Sequence, residues 1–101
     1  MAKLSITHQT KHSSQKSFAL ISEFLGNPEE LKKWDSKATW TEDKELKKGQ
    51  IKGKQFSAQV MVLPIENGSE VKFDIEIGLL LTPLKSKITE ILKSKLQKHL
   101  G

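Results

Sequence analysis

From Glu70 to Ile77 polar and apolar residues alternate without a break. Val71, Phe73, Ile75 and Ile77 fall on one side, and Lys72, Asp74 and Glu76 on the other. A period of two over that length predicts a strand with one face covered and the other in water. The same period recurs upstream, in Leu4 and Ile6 of KLSIT and in Ala38 and Trp40 of KATWTE. The run from Lys47 to Leu63 places Phe56, Ala58, Val60 and Val62 on one face. It reads as one bent strand or as two, with Gly49 and Gly53 marking the bend or bulge. Asn67-Gly68, between this run and the alternating strand, is the strongest short-range hairpin signal in the chain.

Two segments follow the helical period instead. After a polar link, HQTKHSS, Ser13 or Ser14 suits an N-cap, and Phe18, Leu20, Ile21, Phe24 and Leu25 then line one helical face. Gly26-Asn27-Pro28 interrupts that helix. Gly26 or Asn27 suits a left-handed C-cap, and Pro28 suits the first turn of a second short helix with Leu31 and Trp34 as its anchors. The second segment closes the chain, with Leu84, Ile88, Ile91, Leu92, Leu96 and Leu100 on one face, Thr82 as N-cap and Pro83 in the first turn. Its lysines are expected toward its C-terminal end, where they complement the helix dipole.

The order strand, helix, several antiparallel strands, long helix predicts an α+β fold in one domain over residues 1–101. A curved antiparallel β-sheet carries the N-terminal helix, broken at Gly26 to Pro28, and the long C-terminal helix on one face. Trp40, Phe56, Val60, Phe73, Ile75, Ile88 and Ile91 are expected to line the space between sheet and helices. At 101 residues the chain supports one modest core, so any cavity there is expected to be shallow.

Composition narrows the chemistry. There is no cysteine, which excludes disulfides, thiolate catalysis and Cys-based zinc sites. The formal net charge is +5, and all 17 basic residues counted as Lys or Arg are lysines. Lysine gives diffuse attraction to anions but not the bidentate reading of bases and phosphates that arginine supplies. A weak lysine-driven polyanion or nucleic-acid binder is therefore the alternative function, without specific recognition of nucleic acid. The opening MAKLSITHQT lacks the apolar region of a signal peptide, and Ile77–Leu81 is too short to span a bilayer, so a cytoplasmic protein without a membrane span is expected.

No group of residues suggests catalysis. Asp74 and Glu76 share the wet face of one strand, but no His, nucleophile or phosphate loop accompanies them. They are expected to pair with lysines on adjacent strands. His8 and His12 have the spacing of two helical metal ligands, yet sit in a polar link with no carboxylate nearby, and His99 lies near the end of the last helix. Neither a metal nor a cofactor is expected. Asn67-Gly68-Ser69 matches a glycosylation acceptor but reads only as the hairpin turn. The stretch GLLLTPLK, Gly78 to Lys85, stands apart. Consecutive apolar residues cannot all turn to one face. Either Leu79, Leu80, Leu81 and Leu84 form an exposed hydrophobic contact, or Leu79 and Leu81 cap the core while Leu80 covers a loop.

FDIEIGLLLTPLKSKITEIL, Phe73 to Leu92, resembles the C-terminal signature of the polyhydroxyalkanoic acid system protein family. That signature is an acidic-apolar strand, Gly, large apolar residues, a short break, Leu-Lys, and a helix with Ile and Leu every three or four residues. Gly78, Leu79–Leu81, Leu84, Lys85, Ile88 and Ile91 carry the match, and GQIKG (Gly49–Gly53) is similar to the element before the family's middle strand. The family's first helix is usually continuous, and it is often rich in arginine; this chain departs from both. The resemblance implies a bacterial protein with a reduced helix-grip (START-like) domain, associated with polyester storage granules, and no catalytic residues. The expectation is a non-enzymatic binding module. Its partner would be a polyester granule surface, a hydrophobic ligand, or a second copy of the chain meeting it as a homodimer.

Overall fold

A computed structural model describes residues 2–101, with all their side chains except those of Ala2 and Trp34. The described residues form strand β1 (Ala2–Thr10), helices α1 (Ser14–Leu25) and α2 (Pro28–Trp34), strands β2 (Thr39–Asp43), β3 (Lys48–Lys52), β4 (Phe56–Ile65) and β5 (Gly68–Ile77), a 3-10 turn (Thr82–Leu84), and helix α3 (Lys85–Leu100). The sheet is antiparallel in the order β1-β5-β4-β3-β2. This is the α+β architecture that the pattern predicts. The role of Trp34 as an anchor of α2 concerns a side chain outside those described.

The alternation in β5 works as read. Val71, Phe73, Ile75 and Ile77 are buried, as are Phe56, Ala58, Val60 and Val62 of β4 and Leu4 and Ile6 of β1. The helices close this face with Phe18, Ile21, Phe24 and Leu25 from α1, Leu31 from α2, and Ile88, Leu92, Leu96 and Leu100 from α3. The buried stripe of α3 advances strictly by four residues, so Ile91 is only half-buried. Trp40 is also half-buried, its ring lying across Gly49 on the neighbouring strand; a Cβ on Gly49 would stand 1.9 Å from that ring. Gly49 is thus a clearance for Trp40 rather than a bulge.

Several local expectations change. The Lys47–Leu63 run resolves into two strands, with Gly53 in the turn between them. β1 runs on to Thr10, taking in residues read as a link. Thr10 Oγ1 donates to the Leu100 carbonyl at 2.8 Å, so a polar side chain on the inner face finds its partner at the far end of the chain. Ser13 caps α1, accepting from Lys16 N at 3.2 Å. Gly26 ends α1 with φ −75°, a right-handed conformation, and the left-handed cap expected there is not used. Asn27 is instead extended and caps α2 by accepting from Glu29 N. Ile65 pairs with Gly68, so the hairpin turns on Glu66-Asn67, and Asn67 supplies the positive φ, 65°. Gly68 already belongs to β5. A Cβ there would lie 2.0 Å from the Thr10 carbonyl oxygen, and this crowding by β1 is why the position is glycine.

Candidate functional site

The chain leaves β5 at Gly78, whose N–H donates to the Gln55 carbonyl at 2.8 Å. That bond pins the exit to the β3–β4 turn. The next residues coil tightly: Leu81 N donates to Gly78 O, and Thr82 Oγ1 also donates to Gly78 O at 3.1 Å. Thr82 therefore does not cap α3. The helix begins at Lys85, after Leu84, with no side-chain cap. The coil turns Leu81 back against the core and throws its neighbours outward. Leu79 is 78% exposed, Leu80 77% and Leu84 46%. Of the two readings of this corner, the geometry is that of an exposed apolar tip; Leu79 does not cap the core.

The surroundings of the tip are fixed by Asp35. Its carboxylate accepts from Gln55 N at 2.8 Å and Lys37 N at 2.9 Å, tying the α2–β2 connection to the β3–β4 turn beside Gly78. Burial pushes the Asp35 carboxyl up, but backbone N–H donors from Gln55, Lys37, Lys54 and Phe56 outweigh it and hold it below the usual range. The Asp35 carboxylate is thus turned to the backbone. Lys37, Lys54, Lys85 and Lys87, all exposed, stand on the three segments that meet here. Lys85 and Lys87 occupy the first turn of α3, so the expectation that its lysines gather at the C-terminal end is wrong for these two. Lys95 behaves differently again: it reaches Glu30 of α2 at 3.3 Å and lies 5.6 Å above the Phe24 ring. Burial would raise the Glu30 carboxyl, but Lys95 and Lys33 hold it below the usual range.

The remaining candidates disperse. Asp74 and Glu76 do face outward; Ser5 donates to Asp74 at 3.0 Å, and Lys3 stands 3.8 Å from Glu76. Only Glu76 therefore meets the expected lysine. Asp74 joins Thr41, Gln50, Gln59 and Ser5 in a polar row across the outer face, where an open trough of about 490 Å³ lies. His8 is not in a link but on β1, its Nε2 buried without a hydrogen-bond partner, and His99 stacks on Phe24 with ring centroids 4.6 Å apart. Among the described residues no group of three or more His, Asp or Glu could hold a metal ion. Between sheet and helices the free space is about 10 Å³, walled by Phe24, Leu31, Phe56, Phe73 and Leu92 among others. An apolar void of that size is at the limit for a single water, and no lipid-sized ligand fits without rearrangement. No helix among the described residues is long and apolar enough to cross a membrane.

Sequence reasoning missed Glu42. It accepts from the Ser22 hydroxyl and from the Trp40 indole N–H, the latter at 3.0 Å. These two bonds outweigh its burial and hold its carboxyl below the usual range. The Ser22 bond fastens α1 to the edge strand β2 and the Trp40 bond lies within that strand; the alternation of TWTED, with Trp40 and Glu42 two apart on one face, is the signal that could have found the second.

No family model matches the chain. No curated protein matches it either. The crystal structure of TTHA0849 from Thermus thermophilus is similar, with a TM-score of 0.67 over 98% of this chain and 94% of that one, at 13% identity. A likeness at that identity carries the fold and no function.

Proposed function

We propose that this protein is a non-enzymatic binding module that engages a hydrophobic surface through Leu79, Leu80 and Leu84. The observation that supports it most is the exposure of two adjacent leucines on a coil tied by hydrogen bonds among Gly78, Gln55 and Thr82. A large side chain left in water at a fixed corner gains by finding an apolar partner. Burying one such leucine contributes about 1.5–3 kcal/mol, roughly ten- to a hundredfold in a binding constant. The filled interior favours a surface over an enclosed ligand. The resemblance of Phe73–Leu92 to the polyhydroxyalkanoic acid system proteins makes a polyester granule the surface to try first. Leu79→Ser/Leu80→Ser should leave thermal stability almost unchanged and reduce binding to polyester particles by tenfold or more. Binding and self-association both equal to the parent would overturn the reading.

A further inference from the structure

Resting on that reading of the corner, we infer that its partner is an anionic lipid surface, with the leucines entering the acyl boundary and the surrounding lysines at the headgroups. The carrying observation is the company the leucines keep. Lys37, Lys54, Lys85 and Lys87 come from three separate segments, and hydrogen bonds through Asp35, Gln55 and Gly78 bring those segments to one end of the molecule. The acid built into that junction, Asp35, is turned to backbone N–H groups. An uncharged surface would use the leucines and leave this concentration of positive charge unanswered. An anionic one complements both parts.

The two parts are also matched in strength. One or two exposed leucines alone give marginal, reversible attachment, and stable attachment needs a second signal such as a basic patch. Each lysine at an anionic leaflet contributes about fivefold in affinity, falling off within a Debye length. Leucines and lysines must therefore lie at the same end to act together, as they do here.

The test is co-sedimentation of the full chain with phosphatidylcholine vesicles and with vesicles containing added phosphatidylglycerol. Three variants are compared, all at exposed positions, with thermal melts as the check on folding. Lys54→Gln/Lys85→Gln should weaken binding to anionic vesicles by roughly 25-fold. Leu79→Ser/Leu80→Ser should weaken it at least tenfold. Lys11→Gln/Lys98→Gln removes the same charge from the other end, beside Gly68 and Leu100, and should change binding less than twofold. Equal losses from the two lysine pairs would reduce the effect to net charge and overturn the proposal. Equal binding to both vesicle types, or no vesicle binding while polyester particles are still bound, would overturn it and leave the apolar contact standing. A Ser variant that binds vesicles and particles like the parent would remove both readings.

Discussion

Ser17 and Ser69 are both 0% exposed, and their hydroxyl oxygens are 2.6 Å apart. Ser69 Oγ also lies 2.8 Å from the His12 carbonyl, which can only accept. A serine hydroxyl has one proton, so the direction of the whole relay follows. Ser69 donates to His12, and Ser17 must donate to Ser69. The two serines are therefore unequal. Ser17→Ala removes a donor, leaves Ser69 still engaged with His12, and gains about 0.5 kcal/mol of helix propensity inside α1. Its net cost should be about 1 kcal/mol or less. Ser69→Ala strips the partly buried His12 carbonyl of this donor and the buried Ser17 hydroxyl of its acceptor. Unsatisfied buried groups cost about 1–3 kcal/mol each, so a loss of about 2–3 kcal/mol is expected. In a domain of this size that is a fall in Tm of roughly 10 °C or more, against a few degrees for Ser17→Ala. The double variant should lose less than the sum, because removing the Ser17 hydroxyl also removes one orphan. Thermal and urea melts of the parent and three variants settle the matter. If Ser17→Ala costs as much as Ser69→Ala, or if the two losses add, the inferred direction of the relay is wrong.

Phe73→Asp or Ile88→Asp should abolish the cooperative urea transition, since each places an unpaired charge in the filled layer between sheet and α3, whereas Lys98→Ala should shift Tm by less than a degree or two. A cooperative melt for Phe73→Asp would invert the assigned face of β5. Acid should loosen the fold from the corner end. The Asp35 carboxyl is depressed when folded, so its contribution is present above its ordinary value of 3.8 and is lost as pH falls through and below it. Asp35→Asn should be less stable at neutral pH and lose less than the parent on acidification; an equally steep acid loss would show that Asp35 is not among the groups responsible.

The elements that pattern made legible are those whose partners are interchangeable. Any apolar residue suits the inner face of β5 or the stripe of α3, so a period of two or near four was enough to place Phe73, Ile75, Ile88 and Leu92. The extension of β1 to Thr10 was hidden because Thr10 and His8 are polar residues on an inner face. The Thr10 hydroxyl donates to the carbonyl of Leu100, 90 residues away, and accepts from His12 N. Ser69 looked like turn composition for the same reason: its partners, Ser17 and His12, belong to other segments. Thr82 was misplaced by a local competition. Its hydroxyl satisfies the Gly78 carbonyl at the strand exit, so it is not available to cap α3. The run of leucines announced a corner that could not hide every side chain. Which of them faced out depended on the coil that Gly78 and Thr82 make together.

The three α-helices begin in different ways. α1 begins at Ser13 with a side-chain cap, and α2 begins at Asn27 with a cap, Pro28, and Glu29 and Glu30 in its first turn. Both satisfy free N–H groups with a side-chain cap, and α2 also answers the positive end of the dipole with its two glutamates, whereas α1 has no acid in its first turn and carries Lys16 there. α3, the longest of these helices, has neither cap nor acid in its first turn, and Lys85 and Lys87 stand where positive charge is least favourable. Each such lysine costs about 0.3–1 kcal/mol, and a missing cap about 1. Nothing in the core requires this, because the packing of α3 is made by Ile88, Leu92, Leu96 and Leu100, all beyond that turn. Exposed leucines, an uncapped start and two first-turn lysines thus coincide within Leu79–Lys87, and of the three described α-helices only α3 lacks a side-chain cap. Departures that coincide in space, in a fold otherwise consistent with its sequence, are what the contact proposed for this corner would account for. An anionic, apolar surface, as proposed, would answer the leucines and the first-turn lysines together.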